Sequence, residues 1–278
     1  MEWVEYCKTF IPQLKNTYRQ MMGHELNLEH PALYTEKIQW LKIYDSTFIK
    51  SYLTDKINLH KWCKAKLGID LCIPILQVCS APEQINFDAL PDAFVIKCNH
   101  GSGMNIVVKD KRTINRSKII ETLTKWLHTN FAFSNGCELH YAMIEPRILI
   151  EKYMKQTGHS DLTDYKIHCF NGNPIWCQVF LDRHTNKTVS NYSLDWKYSP
   201  EYDWIEYPSR STIKRPVNLE KMIEYSRILS ADFKICRCDF YEIDDTLYLG
   251  ELTFTPDSGY DHFRTADTNG KLGTLLHL

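Results

Sequence analysis

Asp239 and Glu251 are the residues of this chain best placed to do chemistry. Asp239 sits in Arg237-Cys-Asp-Phe-Tyr and Glu251 in Gly250-Glu-Leu-Thr, on either side of Asp244-Asp245. Both runs are rich in β-formers, and the acidic pair between them reads as a hairpin turn. A carboxylate in apolar company needs a cation or donor beside it. Two facing carboxylates make the oxygen-only site that Mg²⁺ prefers. Register decides whether they face, because side chains alternate and one residue of slip changes the face. A two-residue turn at Asp244-Asp245 pairs Glu251 with Cys238. A three-residue loop ending at Thr246, or a bulge, sets Glu251 opposite Asp239, with Arg237 and Thr253 on the same face. A half-buried hairpin with two solvent-facing carboxylates fits the same pattern.

Basic residues upstream suit an anion. Lys97 ends the strand-like Phe94-Val-Ile-Lys-Cys, and Asn99-His-Gly-Ser-Gly103 leads into a second strand, Asn105 to Val108. Glycines let backbone N–H groups approach phosphate oxygens, and Ser102 adds a hydroxyl. No Gly-Lys-Ser/Thr follows, so this is not a Walker loop, and short glycine loops are also ordinary hairpin turns. A buried lysine such as Lys97 needs an anion. Lys56 falls in the first turn of a helix from Thr54 to Gly68, where a cation opposes the helix dipole; it answers an anion there or is a plain surface lysine. Asp164 and Lys166 share a face of a strand that continues through Asn171-Gly172 into Pro174–Leu181, a strong hairpin signal. Asp182, Arg183 and His184 end that hairpin with charges that point into a cleft or into water.

The elements around these residues alternate unevenly. Helical spacing recurs over Glu2–Met22, where aromatic and basic residues suit a membrane surface, a partner, or packing on the rest of the chain. Further helices are expected at Thr35–Tyr44, Asn115–Asn130 and from Asn218 to Leu229. Strands are expected at Ile73–Val78 and Arg147–Met154. The hairpins favour antiparallel sheets, hence an α+β architecture over a doubly wound one. At 278 residues, 44% hydrophobic and 24% charged, the chain has ordinary globular composition. A formal net charge of −1 supplies no global field for nucleic acid. The ten cysteines are scattered without C-x-x-C or Cys/His spacing suited to zinc. With neither a signal segment nor a spanning run, they read as reduced thiols of a cytoplasmic protein.

Taken in order, Asp55-Lys56, Val-Ile-Lys97 before Gly-Ser-Gly, Ile-Glu151-Lys-Tyr-Met154, Arg-Cys-Asp239 and Glu251-Leu-Thr253 resemble the ATP-grasp superfamily. Lys-Cys-Asn-His-Gly-Ser-Gly, Asp-Tyr-Lys followed by Phe-Asn-Gly, and Gly-Glu-Leu-Thr-Phe-Thr-Pro resemble its teichuronopeptide-type (TupA-like) branch, over about Tyr34 to Ser258. The resemblance implies ATP between two α+β lobes. Residues 1–50 would form an N-terminal helical region, 51–150 the first lobe and 151–278 the second. Lys56 and Lys97 would contact the phosphates under a loop of Gly101, Ser102 and Gly103. Glu151, Lys152, Tyr153 and Met154 would form the hinge that meets the adenine, through backbone groups of Lys152 and Met154. Asp164 would take the ribose and Lys166 the phosphates. Asp239, Glu251 and Thr253 would hold Mg²⁺, Thr253 standing where the superfamily usually has asparagine. Arg237, with Lys97, would act on the transferred phosphoryl group.

The reaction implied is ligation. A carboxylate attacks ATP to give an acylphosphate, and an amine displaces phosphate to form an amide. The branch suggests an amino acid or related amine joined to a sugar carboxylate in bacterial surface polysaccharide. His100 and Arg183 are the candidates at the substrate end, His100 equally suiting a brace within its loop and Arg183 a strand-end surface charge. Polar residues in the aromatic loops near Trp196 and Trp204 suit a sugar ring, and such loops also arise as ordinary packing. Two other readings remain: a phosphotransferase, for which Asp182 is the nearby base, and a nucleotide-binding scaffold.

Overall fold

A computed structural model describes residues 2–133, 136–157, 161–183 and 185–278; His184 lies outside them. The N-terminal helical pattern is split into α1 (Trp3–Lys8) and α2 (Ile11–Met22). Pro12 explains the break, since proline inside a helix lacks the N–H and clashes with the preceding turn, yet fits a first turn. Cys7, Leu14 and Tyr18 are buried with Ile43 of α3 (Tyr34–Tyr44), and the Tyr18 hydroxyl lies 2.8 Å from Thr35 Oγ1. Of the three settings the helical spacing allowed, the apolar stripe takes packing on the rest of the chain. Among the described residues no helix is long and apolar enough to cross a membrane.

After α4 (Phe48–Thr54), Asp55 caps α5 (Lys56–Leu67) by accepting from the Ile57 N–H at 2.8 Å. The strands β1 (Ile75–Cys79), β2 (Phe94–Cys98), β3 (Asn105–Val108) and β4 (Ile148–Lys152) form a four-stranded antiparallel sheet in the order β1-β4-β2-β3. Period-two alternation gives this sheet two faces. Phe94, Ile96, Ile148 and Ile150 pack against Ile119 and Leu123 of α6 (Arg116–Leu127), which Asn115 caps. Val95, Lys97 and Glu151 face the opposite way, into a cleft.

The larger sheet contains β5 (Asp164–Phe170), β6 (Asn173–Leu181), β7 (Thr188–Ser193), β8 (Ile235–Ile243) and β9 (Thr246–Thr253), in the order β7-β6-β5-β8-β9. Ile167, Cys169, Cys238 and Phe240 point to one face, where Leu53 of α4, Leu59 and Cys63 of α5, and Met222 and Leu229 of α7 (Leu219–Ser230) cover them. The other face is divided along its length. Phe170, Trp176 and Ile235 lie under α3 and α8 (Thr268–Leu275), while Asp164, Lys166, Arg237 and Asp239 continue the same rows. The expected division at residue 150 falls inside β4. Likewise α5, expected with the first lobe, packs on the larger sheet because its buried Leu59 and Cys63 belong to that core.

All ten cysteines are free and buried. Trp196 stacks on Tyr192 with ring centroids 4.6 Å apart and donates to Ile213 O, and Trp204 is buried against Phe180. Both rings serve packing, one of the two roles that such aromatic loops suit.

Candidate functional site

Of the two routes that would set Glu251 opposite Asp239, the β8–β9 hairpin takes the bulge and not the three-residue loop. Asp244 and Asp245 form a two-residue turn, both with positive φ (47° and 62°), and Ile243 pairs with Thr246. That register alone would carry Glu251 to Cys238. A bulge at Gly250 shifts it by one, so Phe240 pairs with Leu249 but Asp239 pairs with Glu251 and Arg237 with Thr253. Glycine is needed there because a Cβ at Gly250 would stand 2.8 Å from Cε2 of Tyr241. Tyr241 lines the cleft.

Charges are dense on this face. Arg237 donates to both Asp239 oxygens, at 2.8 and 3.0 Å, and to Asp257 at 3.1 Å. Lys166 donates to Asp239 Oδ2 from the neighbouring strand. Burial pushes the Asp239 carboxyl up, but Arg237 and Lys166 overcome it and hold the group at about 2. Glu251, with its side chain 35% exposed, has Arg237 at 3.7 Å and accepts from Thr253 Oγ1 at 3.4 Å. Asp164 accepts from Arg183 at 3.0 Å and lies 3.9 Å from Lys166. Its carboxyl is raised by burial, against the pull of both cations.

Across the cleft, Lys97 pairs with Glu151 at 2.5 Å. The anion that a buried lysine requires is therefore supplied from the same sheet. Lys56 reaches over from α5 to donate to Gly101 O at 2.8 Å, and burial lowers its pKa. The cleft between the sheets encloses about 410 Å³, a volume suited to a small ligand. Lys97, Glu151, Lys152, Tyr153, Met154 and Asp164 all line it. The Lys152 N–H donates to Pro74 O at 3.0 Å and so is taken within the sheet. Asp239, Glu251 and Thr253 offer oxygen alone, the donor set that suits Mg²⁺. Ser102 and Gly103 are exposed at the tip of their loop.

Three candidates are held by partners within the chain. His100 is buried, with Nε2 3.1 Å from Trp126 O and Nδ1 3.3 Å from Asn99 Oδ1, so it braces its loop instead of facing a substrate. Arg183 donates to Asp164 and lines the cleft with Tyr153 and Met154. Asp182, the base a phosphotransferase would use, accepts from Arg210 at 2.6 Å and has a left-handed backbone, φ 53°.

Sequence reasoning also missed two residues. Asp257 reaches Arg237 only through a left-handed backbone (φ 46°) after Pro256. Lys187 lies over the rings of Phe180 (4.7 Å) and Tyr207 (3.9 Å), beside Lys166 and Arg183, which face the same Phe180 ring. Neither sits in a periodic run, so only the fold could reveal them.

No curated protein matches the chain. Among solved structures, the chain is similar to D-alanine–D-alanine ligase from Bacillus anthracis complexed with ATP, at 15% identity and a TM-score of 0.44 over 80% of this chain and 65% of that one. It is also similar to the ATP-grasp ligase PsnB complexed with minimal precursor, Mg and ADP, at 12% identity and a TM-score of 0.42 over 82% and 59%. D-alanine–D-alanine ligase from Helicobacter pylori aligns at 18% identity and a TM-score of 0.43 over 81% and 59%. The chain spans less than two thirds of each of these structures. The model of the TupA-like ATPgrasp family matches residues 36–277, which takes in both sheets and every cleft residue above, and the chain therefore belongs to the TupA-like ATP-grasp family.

Proposed function

We propose that the protein is an ATP- and Mg²⁺-dependent carboxylate–amine ligase that forms an amide through an acylphosphate. The reading rests on one observation: the bulge sets Asp239 and Glu251 opposite each other on the sheet face they share with Asp164, which lines the cleft with Lys97. Adenine lies along the hinge Glu151–Met154, and Asp164 takes the ribose. Lys56, Lys97 and Lys166 meet the phosphates, covered by the loop of Gly101, Ser102 and Gly103. Asp239 and Glu251, with Thr253 beside them, hold Mg²⁺, which supplies charge neutralisation on the phosphates when bound.

In the first half-reaction a carboxylate oxygen of the acceptor attacks the γ-phosphorus, and the bond to the β-phosphate oxygen breaks to release ADP. In the second, an amine attacks the acyl carbon, the acyl–phosphate bond breaks, and the nitrogen loses a proton. Arg237, fixed by Asp239 and Asp257, is positioned for the charge that develops on the transferred phosphoryl group. Binding by preset cations does most of the work in such transfers. The family name supports a polysaccharide setting, with an amino acid or related amine and a uronic-acid carboxylate as partners.

The test is mass spectrometry of products from ATP, Mg²⁺, amino acids and candidate uronic acids. ADP, phosphate and an amide are expected together. A phosphoester product without an amide, or no ADP with any pairing, overturns the reading.

A further inference from the structure

A second cluster of ligand-type side chains stands behind the cleft, where α5 ends. His60 and Cys63 are one turn apart on that helix and so share a face. Gly68 ends the helix in a left-handed conformation (φ 74°), and the chain turns back through Asp70 and Cys72. His60 Nδ1, an Asp70 carboxylate oxygen and Cys72 Sγ all lie within 4.8 Å of one another. The Cys63 thiol packs in the same core as Cys72 and donates to Ile69 O at 3.5 Å. No regular Cys/His spacing announces this group, because the turn after Gly68 is what brings it together.

From this convergence we propose a Zn²⁺ site formed by His60, Asp70 and Cys72, with the Cys63 thiol beside it. Imidazole and thiolate select zinc over Mg²⁺. Tetrahedral zinc with bonds of about 2.0–2.3 Å sets its ligands roughly 3.3–3.8 Å apart, inside the 4.8 Å that spans the three atoms here. The His60–Asp70 contact of 2.8 Å is a hydrogen bond whose proton the metal replaces, along with that of the Cys72 thiol. Backbone donors already orient the group. The Cys72 N–H donates to Asp70 Oδ1 at 3.0 Å, and the Leu71 N–H to Cys63 Sγ at 3.3 Å. Such outer bonds fix ligand orientation in metal sites. Part of His60 and Asp70 is exposed, so an ion has a way in.

The position gives the site a purpose. Cys72 forms a parallel bridge to Leu249, whose N–H donates to Leu71 O at 2.9 Å. A metal there ties the helix that begins with Lys56 to the strand that carries Glu251.

The test uses the full chain, stripped with chelator and titrated with Co²⁺ in excess Mg²⁺. One equivalent should bind with thiolate-to-Co²⁺ charge-transfer absorption, and Zn²⁺ should displace it and raise the unfolding temperature. Cys72→Ser should abolish the absorption, His60→Ala and the partly exposed Asp70→Asn should weaken binding more than tenfold, and Cys79→Ser, in the other sheet, should change nothing. A wild-type protein without that absorption, or a Cys72→Ser protein that keeps it, overturns the proposal. The readout involves neither ATP nor product, so its failure and that of the ligase reading are distinguishable.

Discussion

The larger sheet contains the same device twice. Hairpin β5–β6 turns at Asn171-Gly172 and hairpin β8–β9 at Asp244-Asp245, each with positive φ at both central residues, as a tight hairpin requires. Each then carries a one-residue bulge, at Ile175 in the first and Gly250 in the second. The bulges bring Lys166 opposite Gln178 and Asp239 opposite Glu251. The bulged residue and its distance from the turn differ. Ile175 is half-buried against the aromatic core near the closed end of its hairpin. At Gly250 the ring of Tyr241, which lines the cleft, occupies the space a side chain would need. The same register shift is thus structural in one hairpin and leaves room for a ligand in the other.

Replacing the residue that each shift delivers should break the comparison most sharply. Glu251→Ala should lower kcat by about 10³-fold or more, as the loss of a charge-stabilising group does. Its circular dichroism should match wild type, because the side chain is partly exposed. Unchanged turnover in a folded mutant removes Glu251 from the site. Gln178→Ala should instead lower stability, since Gln178 is buried and pairs with His168 at 3.4 Å.

The facing sheet offers the next test. Lys97→Met should raise the Kd for ATP about tenfold to a hundredfold, the range expected for a lost charged hydrogen bond. Unaltered affinity, read by calorimetry, would leave Lys97 as no more than the partner of Glu151.

Gly250→Val should destabilise by about 1–3 kcal/mol through overpacking. Adding Tyr241→Ala should relieve part of that loss, because neighbours in contact are not additive. Additive losses in thermal unfolding would show that the two residues do not compete for space. Ile175→Gly should cost less, about 0.5–1 kcal/mol from backbone entropy, with a small extra loss of packing.

Asp239 also predicts a pH dependence. Its folded value of about 2 lies below the unfolded value of about 3.9. Its contribution is therefore complete above about pH 4 and is lost as pH falls toward 2. His140, buried and depressed to about 3 chiefly by desolvation, loses stability over a higher window, from about pH 6.5 downward. Unfolding temperatures measured from pH 7 to 3 should fall in the upper part of that range, and His140→Gln should flatten the fall there.

Much of this was legible in the residues. The hairpin signals at Asn171-Gly172 and Asp244-Asp245 mark real turns, and β3 and β5 begin and end where the alternation does. The break at Pro12 was equally readable in principle. The directions of His100 and Arg183 were not legible for one reason: a polar residue beside a glycine loop or at a strand end has no periodicity to reveal its direction. His100 turned toward Trp126 and Arg183 toward Asp164 because those partners lie close only after folding.

The order of residues determined the inventory of charges, the alternating faces and the two tight turns, all of which depend on neighbours along the chain. Tertiary packing decided the rest. Whether Glu251 faces Asp239 or Cys238 turns on a single bulge. The bulge is held because Cys238, Phe240 and Leu252 must remain under α4, α5 and α7 while Tyr241 lies over Gly250. Those demands come from segments far apart in sequence, which local spacing does not encode.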